Sequence, residues 1–204
     1  MARTVMQMKQ TLFQLASERR FVDPITGVGP TSERVLSCLL SLYAQRQAIR
    51  WNAISLYSPE QPLAGVADAS TLIAPSGTFV TEYLLLHHNN PYEEQTWGWM
   101  PADLLYLADD SSSIVMFENK VGSDFQYESM PATSQLGRQL DYLCCAPTPT
   151  IGRRSFVLLT GREFVERGWY HCEFVQALNH GSRRQKVAAA VLMFWEDVLA
   201  ALAL

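Results

Sequence analysis

The fold is decided by the stretch Pro101–Val121, which reads PADLLYLADDSSSIVMFENKV. Two apolar runs of strand length flank a central polar cluster, and this pattern predicts a β-hairpin. With the turn centred on the bond after Asp110, antiparallel pairing places Asp103 opposite Glu118. Because side chains alternate along a strand, Glu118 and Lys120 share one face. The hairpin therefore brings two acids and one amine to a single patch.

The charges of this patch suit a metal site. Cross-strand neighbours lie about 5 Å apart, and two carboxylates that close repel each other unless a proton or a cation lies between them. Hard divalent cations prefer such oxygen ligands. An ordinary exposed pair of Glu118 and Lys120 is the alternative, since such pairs are common and weak. The apolar run Val115–Phe117 and the matched Asp103 favour the site, because a buried strand rarely ends in charges without a use for them.

Further features follow this patch in a fixed order along the chain. After Asp103, the hairpin and the Glu118-Asn119-Lys120 triplet comes a helix-like segment, residues 134–143, which reads SQLGRQLDYL. The ordered set resembles the core of the PD-(D/E)XK nuclease superfamily, over roughly residues 31–160. The resemblance implies an α/β fold, with a mixed central sheet flanked by helices around a restriction-endonuclease-like αβββαβ core.

Two positions depart from the pattern of that superfamily. Ala102 separates Pro101 from Asp103, whereas the proline and the acid are usually adjacent. Gln139 stands where relatives with this type of helix often carry Tyr, four residues after Gln135. Neither departure touches the two acids or the lysine.

The resemblance implies a metal-dependent nuclease that acts on DNA with Mg²⁺ or Mn²⁺. Asp103 and Glu118 would ligate the metal, with the backbone carbonyl of Asn119 as a further ligand. Lys120 would hold the attacking water or the scissile phosphate. Gln135 would orient the substrate as a fourth catalytic residue. The predicted nucleic-acid contacts are Arg138, Tyr142, Arg153 and Arg154.

Glu33 is a candidate further metal ligand. A helix capped by Thr31 or Ser32 is predicted to run to about Trp51, with Glu33 in its first turn. In the superfamily an acid on the helix before the sheet often reaches the metal. The alternative is an acid that only complements the helix dipole, and the sequence leaves both interpretations open.

Composition favours one folded domain spanning residues 1–204, since 48% of the 204 residues are hydrophobic and 18% are charged. The net charge of -4 is unusual for a DNA-binding enzyme, but residues 134–186 contain eight basic and four acidic side chains. This asymmetry allows one basic face on an acidic body. The four cysteines have neither the paired spacing of a zinc site nor the density of a disulfide framework, and together with the lack of a secretion signal they predict a cytoplasmic protein without a membrane anchor.

The remaining elements are predicted from periodicity and from turn residues. A double histidine at residues 87–88 is interpreted as a turn, and residues 92–100 as an aromatic loop that faces substrate or covers the core. Predicted helices span residues 4–20, 133 onward, 163–179 and 184–202; predicted strands span 79–86, pairing with the strand of Asp103, and 155–160; residues 52–78 are predicted as loop with at most one short strand. The domain would therefore have a helical C-terminal part, residues 161–204.

Two other functions compete with the nuclease. A protein of the same fold that no longer cuts would bind a protein or nucleic-acid partner, because fold does not guarantee chemistry. A nuclease subunit that is active only in a larger assembly is the third. The apolar stripe at Val191, Phe194, Trp195 and Val198 is interpreted as core, or as the surface of a homodimer or larger assembly formed through the C-terminal helix.

Overall fold

The computed structural model describes residues 32–84, 101–121, 134–145 and 152–202. The predicted helix over residues 4–20, the double histidine at 87–88 and the aromatic loop at 92–100 lie outside the described residues. Everything that follows concerns the described part of the chain.

The described residues form an α/β fold with seven strands and six α-helices. The helices are α1 (Ser32–Gln45), α2 (Gln135–Cys145), α3 (Arg162–Glu166), α4 (His171–Asn179), α5 (Arg183–Lys186) and α6 (Trp195–Ala201); the strands are β1 (Ser55–Ser58), β2 (Gln61–Asp68), β3 (Gly77–Leu84), β4 (Pro101–Ala108), β5 (Ser113–Lys120), β6 (Arg153–Thr160) and β7 (Ala189–Phe194). Two short 3-10 helices, Trp51–Ala53 and Ala69–Thr71, flank the β1–β2 hairpin.

All seven strands belong to one mixed sheet, in the order β2-β1-β7-β6-β5-β4-β3. Strands β3, β4 and β5 form an antiparallel meander, and β6 and β7 lie parallel to β5. The predicted hairpin register is confirmed, because Leu104 pairs with Phe117 and Leu107 with Ile114. The predicted pairing of β3 with the strand of Asp103 is also confirmed.

Helices cover both faces of the sheet. On one face α1 and α6 approach β5, where Asn119 hydrogen-bonds to both helices. On the other face α2 contacts Glu118, and α4 contacts β6 through Phe156 and Phe174, whose ring centroids lie 5.4 Å apart. Leu136, Leu140 and Leu143 of α2 are buried as predicted. The result is three layers, in which the central strands are buried on both sides.

Four predictions about secondary structure are wrong. The helix predicted to run to about Trp51 ends at Gln45, and Trp51 begins a separate 3-10 helix. Residues 52–78 form the β1–β2 hairpin and not mainly a loop, and the predicted helix over 163–179 is two helices, separated by a turn that contains Gly168 and Tyr170, both with positive φ. The predicted long helix over 184–202 is instead α5, strand β7 and α6. A continuous apolar run is compatible with a buried strand as well as with a buried helix. Residues 189–194 form a strand because they pair with β6 and β1. The C-terminal part is therefore not helical throughout.

The apolar stripe of the C-terminal segment lies in the core of this chain. Phe194 is fully buried, and Val191, Trp195 and Val198 are buried as well. Of the two interpretations of this stripe, the core is the correct one. In the described residues, no helix is long and apolar enough to cross a membrane.

A glycine at the start of β3 is required by a tyrosine of β4. Tyr106 is fully buried, and its hydroxyl donates towards the carbonyl oxygens of Ala74 and Ser76 at 3.0 and 3.1 Å. A Cβ added to Gly77 would overlap the Tyr106 ring. Residue 77 must therefore lack a side chain if the tyrosine is to keep its place.

We expect Gly77→Ala to destabilise the fold by about 1–3 kcal/mol, the usual cost of overpacking against a buried side chain, here that of Tyr106. Gly65→Ala in β2 is the matched control, because its Cβ would meet only Tyr57 Cε1 at 4.0 Å. That control should be neutral or slightly stabilising. Urea unfolding of the two variants measures the difference, and equal midpoints would contradict the close approach.

Candidate functional site

The candidate site lies at the edge of the sheet that is formed by the strand ends, and not along an outer strand. The carboxyl ends of the three parallel strands coincide there, with Lys120 beside Thr160 and Thr160 beside Phe194. Strand β4 runs in the opposite direction, so its beginning, with Asp103, reaches the same edge. Such an edge, where strands end and helices begin, is the usual location of sites in α/β proteins.

The Asp103 carboxylate replaces a backbone acceptor at the point where the pairing of β4 and β5 stops. The paired residues end at Leu104 and Phe117, and the amide N–H of Asn119 donates instead to Asp103 Oδ2 at 2.8 Å. The carboxylate thereby satisfies a backbone donor that would otherwise lack a partner. Within the described part of the chain, its second oxygen, Oδ1, accepts no hydrogen bond.

Glu118 is fully buried and accepts hydrogen bonds at both oxygens. Gln135 donates to Oε1 at 2.6 Å, and Gln139 donates to Oε2 at 2.6 Å. Lys120 Nζ lies 3.1 Å from Oε1. A buried carboxylate is tolerated only with such partners, because an uncompensated charge in the interior costs several kcal/mol.

Glu33 reaches the site from the first turn of α1. Its Oε1 accepts the N–H of Val121 at 3.1 Å, and its Oε2 lies 3.9 Å from Lys120 Nζ. The side chain is buried. Glu33 is therefore more than an acid that complements a helix dipole, since it joins α1 to the end of β5 and to the lysine.

Asn119 points to the opposite face of the sheet and anchors both helices of that layer. Its Nδ2 donates to the carbonyl of Glu33 at 2.7 Å and to Ser37 Oγ at 3.3 Å. Its Oδ1 accepts from Trp195 Nε1 at 2.8 Å. The side chain is buried with every polar atom bonded, so it holds α1 and α6 against the strand that carries Glu118 and Lys120.

The electrostatics of the site are dominated by burial and by the excess of acids over amines. Burial raises the pKa of the Glu118 carboxyl, against the opposing effect of Lys120. Burial, and next the charge of Glu118, raise the pKa of Asp103 well above its usual range. For Lys120 burial lowers the pKa, but the carboxylates of Glu118 and Glu33 outweigh it, so that its pKa lies above the ordinary value. The lysine is thus an ammonium at neutral pH.

The chemistry of these donors fits a hard divalent cation. Two carboxylates, Asp103 and Glu118, project from neighbouring strands, and Asp103 Oδ1 accepts no hydrogen bond from the described residues. Oxygen donors of this kind suit Mg²⁺ or Mn²⁺. No three His, Cys, Asp or Glu side chains in residues 32–84, 101–121, 134–145 and 152–202 group closely enough to hold a metal ion. If the two acids and the Asn119 carbonyl are the protein ligands, as predicted from the sequence, water would complete the shell, because Mg²⁺ commonly retains several waters.

The predicted nucleic-acid contacts do not converge on one place. Arg138 and Tyr142 lie half-buried on α2, the helix that contacts Glu118. Arg153 and Arg154 pair with Ser113 and Ile114, at the far end of β5. At about 3.3 Å per residue they lie roughly 13–17 Å along the strands from the level of the acids. Arg154 donates to the carbonyls of Leu143 and Cys144, so it caps the end of α2.

Among the described residues, at least four of the eight basic side chains in residues 134–186 form ion pairs. Arg183 is buried against Asp141, with both bonds at 2.7 Å. Three more pairs join Arg162 to Asp197, Arg167 to Glu163 and Arg184 to Glu60. The asymmetry of charge along the sequence therefore overstates the positive charge that these residues offer to a ligand.

Comparisons with known proteins give no further indication of function. The chain matches no protein-family model, no curated protein and no solved structure.

Three residues of the site were not predicted from the sequence. Gln139 departs from the superfamily pattern and is not among the predicted site residues, but its spacing of four from Gln135 places both on one helix face. Ser37 also lies four residues after Glu33, and the same spacing was a usable signal. Trp195 carried no local signal, because its contact with Asn119 joins residues 76 positions apart.

The raised pKa of Asp103 has a consequence for stability. An acid whose pKa is higher in the folded than in the unfolded state disfavours folding at neutral pH, and this penalty disappears as the pH falls through the folded pKa. We expect metal-free Asp103→Asn to be more stable than the wild type at pH 7, since an amide oxygen can still accept the Asn119 N–H. The advantage should shrink as the pH is lowered towards 4. Thermal unfolding of both proteins between pH 4 and pH 8 measures this advantage. A difference in melting temperature that does not change with pH would contradict a raised pKa of Asp103.

The Asn119 network predicts a second change in stability. Asn119→Ala leaves Trp195 Nε1 and the polar groups of α1 without their partner, at about 1–3 kcal/mol for each buried group. We expect a loss of at least about 2 kcal/mol in urea unfolding. Asn52→Ala is the matched control at an exposed position and should lie within about 0.5 kcal/mol of the wild type. Similar unfolding midpoints for both variants would show that the network contributes little.

Proposed function

We propose that this chain is a metal-dependent nuclease that hydrolyses phosphodiester bonds of DNA. The observation that carries the proposal is the convergence of Asp103, Glu118 and Lys120 at one sheet edge, with Gln135 hydrogen-bonded to Glu118. The element order α1-β3-β4-β5-α2-β6 supports a restriction-endonuclease-like αβββαβ core, into which the β1–β2 hairpin is inserted after α1. The order of these elements, and the charges of Asp103, Glu118 and Lys120 on them, are those expected of a PD-(D/E)XK nuclease.

The chain's residues divide the work of the reaction. A bound divalent cation supplies a Lewis acid, which lowers the pKa of a water molecule and neutralises charge on phosphate. Asp103 and Glu118 would hold that cation from two adjacent strands. Lys120 holds the attacking water or the scissile phosphate, where its positive charge stabilises the negative charge that develops in the transition state. The burial of Lys120 strengthens this effect, because charges interact more strongly away from water.

Helix α2 supplies the contacts to substrate. Gln135 lies in its first turn, within hydrogen-bond distance of Glu118, and Arg138 follows one turn later. A guanidinium is well shaped to grip phosphate. Gln135 therefore orients the scissile group, and Arg138 contacts the neighbouring phosphate of the DNA backbone.

One observation favours the competing function, a protein of this fold that binds a partner without cutting. Glu118 is fully buried, and both of its oxygens already accept hydrogen bonds. A carboxylate in this state is satisfied without a metal. In that case the acids and the lysine would form a polar network in the core, and the chain would bind nucleic acid or protein at another surface.

The test is incubation of the protein with plasmid and linear DNA, with Mg²⁺, with Mn²⁺ and with EDTA. We expect cleavage only with metal. Lys120→Met keeps most of the aliphatic stem and removes the charge, so turnover should fall by a factor on the order of 10² or more. Glu118→Gln should abolish cleavage.

Lys186→Met is the matched control, because Lys186 is exposed on α5, which precedes the opposite end of β7. It should cleave at the wild-type rate. DNA binding without cleavage under any metal condition would favour the binding protein. Cleavage that survives Lys120→Met would remove the lysine from the mechanism.

A further inference from the structure

Two glutamines of α2 hold Glu118 in different ways. Gln139 donates to Oε2 at 2.6 Å, and the described residues place no other donor on that oxygen. Oε1 has two donors, Gln135 Nε2 at 2.6 Å and Lys120 Nζ at 3.1 Å. The two oxygens of one carboxylate thus have unlike surroundings.

The two glutamines also differ in burial. Gln139 is fully buried, whereas Gln135, in the first turn of the helix, is half-buried. An exchange of partners at Oε1 requires only that a half-buried side chain turn away. An exchange at Oε2 would require a fully buried side chain to leave the core.

Among the described residues, the observed orientation of the Gln139 amide leaves its carbonyl oxygen unsatisfied, which is energetically unfavourable. Its carbonyl oxygen is buried and, within the described part of the chain, has no hydrogen-bond partner. A buried unsatisfied acceptor is unfavourable. The flipped amide would place two oxygens 2.6 Å apart, which is worse when Glu118 is ionised. The side chain is therefore oriented by its bond to Glu118 and by nothing else that the structure describes.

A second carboxylate, that of Glu33, lies close to the Lys120 ammonium. Lys120 Nζ lies 3.9 Å from Glu33 Oε2 as well as 3.1 Å from Glu118 Oε1. A small movement towards Glu33 would free Oε1 while the ammonium keeps a carboxylate partner.

We propose that the oxygens of Glu118 have separate roles: Gln139 fixes Oε2 and so orients the carboxylate, while Oε1 exchanges Gln135 and Lys120 for the divalent cation. Gln139 is then a positioning residue. Gln135 fills the place of the cation in the free protein and is released towards substrate when the cation binds. This inference rests on the proposed function, since it takes the cation as given.

A matched pair of variants tests the division of roles. Gln139→Met and Gln135→Met each replace one amide by a side chain of similar length. Titration with Mn²⁺ alone, followed by calorimetry, needs neither DNA nor turnover. We expect Gln139→Met to weaken Mn²⁺ binding by about 10–100-fold, the usual effect of losing a group that orients a ligand. Gln135→Met should bind Mn²⁺ as tightly as the wild type or more tightly.

Two further variants separate orientation from a general loss of structure. Gln139→His keeps an N–H donor near the position of Nε2 and should retain most of the affinity. Thr160→Val removes a buried hydroxyl that, like the Gln139 carbonyl, lacks a partner within the described residues. It should leave Mn²⁺ binding unchanged. Equal losses in Gln139→Met and Gln135→Met, or no loss in Gln139→Met, would overturn the proposal.

A double-mutant cycle tests the contact without any metal. Gln139→Met should lower the urea midpoint of the metal-free wild type, and should lower it much less in a Glu118→Leu background, because the acceptor is gone. Equal effects in both backgrounds would also overturn the proposal. Failure of the proposed function looks different, since the wild type itself would then bind no Mn²⁺ and cut no DNA while the coupling between Gln139 and Glu118 persists.

Discussion

The structure depends on how it compensates one buried carboxylate. Glu118 is fully buried near the end of a central strand, and three donors surround it. Moving a carboxylate out of water costs several kcal/mol unless such partners exist. Helix α2 must therefore lie where Gln135 and Gln139 both face the strand, and Lys120 must stay folded over the same patch. The leucines of α2 supply the packing, but the acid determines which turn of the helix lies over the strand.

Alternation along β5 lets neighbouring residues serve different layers. Glu118 and Lys120 face α2, while Asn119 faces α1 and α6 and bonds to both. Movement of the strand end would therefore disturb both layers at once. The backbone N–H of Asn119 adds a third tie, to Asp103 of the adjacent strand. These bonds hold the end of β5 to the α1/α6 layer and to β4 at the same time.

The distribution of charge shapes what the edge can bind. Glu33, Glu118 and Asp103 share a single lysine among the contacts described, so the edge favours a cation over a bare phosphate. Several arginines of the later segment are held by acids of this chain, and Arg154 by helix carbonyls. Under the proposed function, electrostatic attraction to DNA would therefore depend strongly on the cation and on a few side chains of α2. The net charge of -4 agrees with such a site more readily than with a broad basic surface.

What the sequence by itself determined is the local part of the architecture. Turn residues and alternating apolar residues set the hairpin register, so the meeting of Asp103 with Glu118 and Lys120 was predictable, as was the buried leucine face of α2. Only the tertiary structure decided the rest. Whether an apolar run such as that of β7 becomes strand or helix depends on its neighbours β6 and β1, which lie far away in sequence. Trp195 joined the network around β5 because packing brought its helix there, and no local pattern encodes a contact over 76 positions. Packing also decided between the two interpretations of Glu33, whose carboxylate reaches Val121 and Lys120.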